Sequence, residues 1–217
     1  MGVKKGLFIT FEGQDGCGKT TIINEVFKKL NKLYPKKIFI TREPGGTNNP
    51  IGEKIRKIIL NKNSYKMTTM TEILLFAASR AQHINDFIKP NLEKNNVILC
   101  DRFIHSSLVY QGYVNNIGFK KIFAINQDAL DHIWPDLIFL LLTKPEICLR
   151  RINQRNHQKN RFDLKSINMY NDIYKGYLKI AQKYPKNLIV VDAKKTIKKN
   201  ANLIAKIILE KIKSHGK

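Results

Sequence analysis

Five short apolar runs, at residues 7–11, 37–41, 97–100, 137–142 and 188–192, punctuate a chain in which apolar residues otherwise return every three or four positions. Runs of that length without polar alternation predict strands buried on both faces. Between them, Ile22, Ile23, Val26, Phe27 and Leu30 lie at helical spacing, and Tyr34-Pro35 ends the pattern. Further helices are expected from about 51 to 60, with Ile55, Ile58 and Ile59 inward, and from 70 to about 93, where Pro90 is tolerated only near the end. Others are expected at 119–132, after Thr143-Lys144-Pro145, at 167–184 and at 197–212. Ser106 or Ser107 could cap a short helix, and Thr143 sits where an N-cap would precede Pro145. Strands alternating with helices imply parallel pairing through right-handed crossovers. The expected fold is an α/β domain of three layers, a five-stranded parallel sheet with helices on both faces, spanning residues 1–217 as a single unit.

Composition narrows this picture. The formal charge is +22, from 39 Lys and Arg against 17 Asp and Glu. That raises the question of nucleic acid, but the lysines are spread over the whole chain without interleaved aromatics, which reads as solvated surface, and no nucleic-acid partner is expected. Cys17, Cys100 and Cys148 are widely separated and odd in number, arguing for a reducing compartment. No apolar stretch reaches membrane-span length, and the first strand begins too early to leave room for a signal peptide, so a cytoplasmic location and no membrane partner are expected.

Chemistry enters directly after the first strand. Gly13-Gln14-Asp15-Gly16-Cys17-Gly18-Lys19-Thr20 has two glycines separated by four residues and followed by Lys and Thr, between a strand and a helix. This is the phosphate-binding loop pattern of P-loop NTPases: successive backbone N–H groups surround phosphate oxygens at a helix N-terminus. The loop and Thr21 are therefore candidates to hold ATP, with Lys19 on the outer phosphates and Thr20 on Mg²⁺.

The other candidates gather at carboxyl ends of strands, the ligand edge of an open α/β sheet. Arg42 ends the second strand, where it reads as an exposed charge or as a phosphate contact; Arg56 reads as solvated unless a cleft lies beside it. Phe76 and Arg80 share a helix face, and Phe76 suits either the core or stacking on a base. Asp101 and Arg102 end the third strand, suiting Mg²⁺ or proton acceptance and phosphate binding respectively. Gln111 offers an amide to a base, while His105, without a partner in sequence, reads as surface or as support behind the site. Arg151 and Arg155 stand four apart, and the polar run 156–161 has the look of a flap.

Taken in order, Gly13 to Thr20, Thr41-Arg42-Glu43-Pro44-Gly45-Gly46, Leu75-Phe76-Ala77-Ala78-Ser79-Arg80, Asp101-Arg102-Phe103 with Ser106-Ser107 and Tyr110-Gln111-Gly112, and Arg151 to Asp163 resemble the thymidylate kinase family over nearly the whole chain. The resemblance implies phosphoryl transfer from ATP to dTMP, Mg²⁺ as cofactor and a homodimer. It makes Phe76 the stacking partner of thymine, Arg80 and Gln111 its polar readers with Ser107 nearby, and Arg42, Arg56 and Arg102 contacts of the dTMP phosphate. Asp15 would meet the sugar 3′-hydroxyl and Tyr110 crowd the 2′ side. Because Gly16 leaves the loop without a spare cation, the transition-state charge is expected from a lid at 151–163, through Arg151, Arg155 or Arg161, as in the bacterial style of the family. Asp101 is assigned to metal or water ordering, and Asp163 could approach Mg²⁺. The rivals are a deoxynucleoside kinase, which would use thymidine, and a basic P-loop ATPase acting on nucleic acid.

Overall fold

The computed structural model describes residues 6–154 and 166–215. Arg155, Arg161 and Asp163 lie outside the described residues.

Five parallel strands form one sheet: β1 (Leu7–Glu12), β2 (Ile38–Arg42), β3 (Val97–Asp101), β4 (Leu137–Leu142) and β5 (Leu188–Asp192), in the order β2-β3-β1-β4-β5. All five expected strands are present. Their alternate residues feed two separate cores. Leu7, Ile9, Phe11, Leu99, Phe139 and Leu141 pack beneath α1 (Lys19–Leu33), α7 (Pro145–Asn153) and α9 (Ile197–His215). Phe8, Ile98, Cys100, Ile138 and Leu140 face the other layer, built from α3 (Thr69–His83), α4 (Lys89–Glu93), α5 (Ile104–Ser107), α6 (Phe119–Leu130) and α8 (Ile167–Lys183). α2 (Pro50–Leu60) lies against α3 on the β2 side. The three-layer α/β architecture is thus as expected.

Several local expectations fail for identifiable reasons. The long helix expected from 70 to 93 is not uniform: a π-helical turn at Ile84–Ile88 separates α3 from α4, an extra residue per turn that apolar periodicity does not reveal. Thr143 does not cap α7. Lys144 takes the N-cap position, because Pro145 occupies the first turn and places the boundary one residue later, and the buried Thr143 hydroxyl has no hydrogen bond among the described residues. Neither Ser106 nor Ser107 is an N-cap, since α5 starts after Phe103 and both serines lie inside it. Ile58, expected inward on α2, is 50% exposed, and Ile59 alone of the three isoleucines is buried there.

Candidate active site

The carboxyl ends of β1, β2 and β3 open into a cleft of about 600 Å³. The phosphate loop forms one wall. Its turns are possible only with glycine: a side chain at Gly13 (φ 137°) would come within 2.4 Å of the Leu141 carbonyl oxygen, and one at Gly16 (φ 82°) within 2.4 Å of that of Cys148. Lys19 Nζ lies 3.1 Å from the carbonyl oxygens of Gly13 and of Gln14, donating to both. Gln14 and Cys17 are buried beneath the loop, the Gln14 amide donating to the Tyr170 carbonyl at 2.6 Å. Gly18 precedes α1, and Thr20 and Thr21 stand exposed in its first turn.

Thr20 Oγ1 donates to Asp101 Oδ2 at 3.0 Å, bringing together the two side chains expected at a metal. The other Asp101 oxygen, Oδ1, is buried and accepts no hydrogen bond among the described residues. A hydroxyl and a carboxylate with an uncommitted oxygen, beside a loop shaped for phosphates, is the donor set that suits Mg²⁺, which takes few protein ligands and shares its shell with phosphate and water.

Facing the loop is a second wall made by Arg102. Its backbone is left-handed, φ 74°, a conformation that non-glycine residues hold only where surroundings impose it. Those surroundings are explicit. Arg102 donates through Nη2 to Asp15 at 2.6 Å and to the Tyr110 hydroxyl at 3.4 Å, and through Nη1 to Ser106 and Tyr177 at 2.9 and 3.0 Å. Tyr110 in turn donates to Asp15 Oδ2 at 3.1 Å, so Asp15 forms one cluster with Arg102 and Tyr110, both far from it in sequence.

Behind them sits a residue that sequence reasoning missed. Glu12, wholly buried at the end of β1, accepts the Phe103 N–H at 2.9 Å and the Ser106 hydroxyl at 2.6 Å. Burial raises its pKa to about 7, opposed by the Ser106 bond and the Arg102 charge. An acid ending an otherwise apolar strand was the available signal. His105, expected at the surface or behind the site, is fully buried among Trp134 and Tyr184. Burial, followed by the Arg80 charge, pushes it down to about 3, so it is neutral.

The floor is set by Arg80, 1% exposed. It donates to Glu43 Oε2 at 2.9 Å, to Ser107 Oγ at 3.0 Å and to Asn126 Oδ1. His83 Nδ1 approaches the other Glu43 oxygen at 3.4 Å while its Nε2 lies 2.7 Å from the Thr41 hydroxyl, which ties the Glu43-Pro44-Gly45-Gly46 turn to α3. At the rim, Arg42 pairs with Glu53 at 2.9 Å, and Arg56 reaches the Pro44 carbonyl at 2.8 Å, lining the cleft rather than facing solvent from the far side of α2. Burial and then the Arg42 charge lower the Arg56 pKa, as two guanidiniums at one anion site would. Phe76, Ser107, Tyr110 and Gln111 line the same cleft. Of the expected lid arginines, Arg151 is the one described, and its Nη1 donates to the Gly16 carbonyl at 3.3 Å.

Comparison with known proteins agrees with this geometry. A sequence model of the thymidylate kinase family matches residues 11–204. The chain is 42% identical to thymidylate kinase of Clostridium novyi over 91% of its own length and 95% of the relative's. It is 41% identical to that of Malacoplasma penetrans, over 98% and 100% of the two chains. The crystal structure of thymidylate kinase from Ehrlichia chaffeensis superposes with a TM-score of 0.76 at 28% identity, covering 94% of this chain and 98% of that one. The chain belongs to the thymidylate kinase family, and its sheet and loop are those of a P-loop NTPase.

Proposed function

We propose that the chain transfers the terminal phosphoryl group of ATP to dTMP, giving dTDP and ADP, with its two substrates on opposite walls of the cleft. The observation that carries this reading is the Asp15–Arg102–Tyr110 cluster, which joins the phosphate loop to the arm that would hold an already phosphorylated acceptor.

On the donor side, the loop N–H groups from Gly13 to Thr21 cradle ATP, and Lys19 exchanges its two carbonyl acceptors for phosphate oxygens, to which charge-assisted bonds are about twice as strong. Thr20 and Asp101 would hold Mg²⁺, which neutralises charge on the phosphates when bound. On the acceptor side, Phe76 stacks on thymine above the Arg80–Ser107 floor, and Arg42, Arg56 and Arg102 receive the dTMP phosphate. Asp15 binds the 3′-hydroxyl, and Tyr110, braced by Asp15, closes the space where a 2′-hydroxyl would lie. Gly16 supplies no cation, so Arg151, Arg155 and Arg161 of the lid remain the candidates for the charge that develops on the transferred oxygens. The acceptor is a phosphate oxygen and needs no strong base, which leaves Asp101 to the metal.

The deciding experiment is ADP release with dTMP, thymidine, AMP, CMP and GMP as acceptors. Release with dTMP far above all others is expected; better turnover of thymidine would instead make the chain a nucleoside kinase. Arg151→Ala, Arg155→Ala and Arg161→Ala test the lid, and at least one should lower kcat more than it raises the dTMP KM. A cytoplasmic homodimer completes the reading. It is supported by the three free cysteines and by Met70 and Leu74, 39% and 53% exposed on α3; sedimentation of the purified protein tests the dimer.

A further inference from the structure

Gln111 stands on the π-helical turn Leu108–Val114, is 2% exposed and lines the cleft beside Phe76, Arg80 and Ser107. Its side chain is held by a residue one helical turn before Phe76 on α3. Gln111 Nε2 donates to Glu72 Oε1 at 2.7 Å, and Glu72 is itself only 8% exposed. The other end of the amide, Oε1, is buried and accepts no hydrogen bond among the described residues.

The chemistry of the pair fixes its direction. A carboxylate has only acceptors, so the amide that meets it must present its NH₂ end. An unclamped glutamine has no such restriction, because its two ends are nearly identical in shape and exchange by a half-turn. We propose that Glu72 is a positioning residue for base selection: it holds Gln111 with Oε1 as the end offered to the base, so that the site takes a pyrimidine bearing hydrogen on N3 and refuses one whose N3 is a lone pair. This deepens the reading of the cleft as the dTMP site and rests on it.

Thymine and uracil carry N3–H, which satisfies the orphaned Oε1. Cytosine brings a second acceptor to the same place, leaving two buried acceptors facing one another without a proton between them. Sites built on such a polar match discriminate far more sharply than sites that compare shape, because the wrong partner strands a desolvated group. Stacking on Phe76 is indifferent to this difference, since every base has a π-face. Selection at N3 therefore falls to the direction of one amide, and that direction to Glu72, while Arg80, which can only donate, acts on the exocyclic group beside it.

The test compares kcat/KM for dTMP and dCMP in the wild type, in Glu72→Gln, and in the exchange E72Q/Q111E. The single variant replaces the acceptor-only clamp with an amide able to donate or accept, so Gln111 is free to turn either end to the base. The dTMP-over-dCMP ratio should fall about tenfold or more, the equivalent of one buried hydrogen bond, with the change in KM exceeding that in kcat. In the exchange, the introduced amide donates to the introduced carboxylate, whose second oxygen again accepts from N3, and the ratio should return towards that of the wild type. Equal losses for both substrates in Glu72→Gln, with the ratio unchanged, overturn the proposal. A measurement on the wild type guards against misfolded variants: dTMP methylated at N3, which keeps both exocyclic oxygens but lacks the proton, should bind at least about tenfold more weakly than dTMP, and equal binding overturns the clamp. A wild type that phosphorylates thymidine and not dTMP would refute the substrate reading itself, a result distinct from either.

Discussion

Arg80 and Arg42 line the same cleft under opposite conditions. On the floor, Arg80 is 1% exposed and shares its guanidinium among Glu43, Ser107 and Asn126. On the rim, the Arg42 side chain is 47% exposed and, among the described residues, has one charged partner, Glu53, itself 34% exposed. The floor charge is fixed before any ligand arrives, so it shapes the pocket and supports the fold at once. The rim charge is held loosely and can turn to an incoming phosphate at little structural cost. Removing groups on the floor should therefore be read in stability, and removing groups on the rim in KM.

The largest effect should come from Glu43→Ala. The variant leaves Arg80 buried and unpaired and frees the turn that His83 helps to hold. Breaking one partner of a buried pair costs about 3–5 kcal/mol. Urea unfolding should show that loss; a loss below about 1 kcal/mol would mean that the floor is no more committed than the rim.

Glu12 extends the comparison to pH. Burial raises its pKa from 4.5 to about 7, so between those values the folded chain binds more protons than the unfolded one, and its contribution to stability declines as pH rises. The loss amounts to about 3 kcal/mol by linkage and is complete once Glu12 is ionised in the folded state. Glu12→Gln keeps an acceptor for the Phe103 N–H and has no titrating proton, while its NH₂ end replaces the oxygen that accepts from Ser106, whose hydroxyl can turn to accept instead. Its unfolding free energy should lack this decline from pH 5 to pH 8, and parallel profiles for the two proteins would remove Glu12 as the cause.

What the sequence made legible follows the same division between local and distant. The five strands are contiguous apolar runs, and the phosphate loop is eight consecutive residues, so both announce themselves within a short window. Arg42, Phe76, Asp101, Arg102 and Gln111 could be named because they recur in an ordered family pattern and stand at strand ends or on one helix face. Their holders could not. Glu12 meets Ser106, Glu43 meets Arg80 and Glu72 meets Gln111 across the fold, and nothing local to an acid tells which distant donor it will face. For His105 the sequence leaves surface and support behind the site both open for that reason, because a lone histidine carries no mark of the aromatic ring pair that buries it 3.9 Å from Glu12, on the support side. The π-helical turn at Ile84–Ile88 escaped because inserting one residue into a helix shifts its face without breaking its apolar content.

Arg56 stands between floor and rim, half-buried and, among the described residues, hydrogen-bonded to one neutral carbonyl, that of Pro44. Arg56→Ala removes a cation without stranding a partner charge, so unfolding free energy should change by less than about 1 kcal/mol. The dTMP KM should rise about 10- to 100-fold, the loss of a charge-assisted bond to phosphate. A large stability loss with unchanged KM would move Arg56 to the floor.

The smallest effect belongs to Arg42 with Glu53. Glu53 Oε1 also accepts the Gly46 N–H at 2.9 Å, so Glu53→Ala alone mixes the ion pair with the turn it supports. A double-mutant cycle of Arg42→Ala and Glu53→Ala separates the two. Two half-exposed side chains gain little from each other in water, and the coupling in unfolding free energy should be about 0–1 kcal/mol. It should shrink further in 1 M salt, where the Debye length falls to about 3 Å. The same salt should weaken dTMP binding in the wild type and leave the Arg80–Glu43 pair in place, because screening ions reach the rim and not the floor. A coupling above about 2 kcal/mol that persists in salt would mean that Arg42 is already committed to Glu53, and a phosphate arriving at the rim would then have to break a pair as firm as the one beneath it.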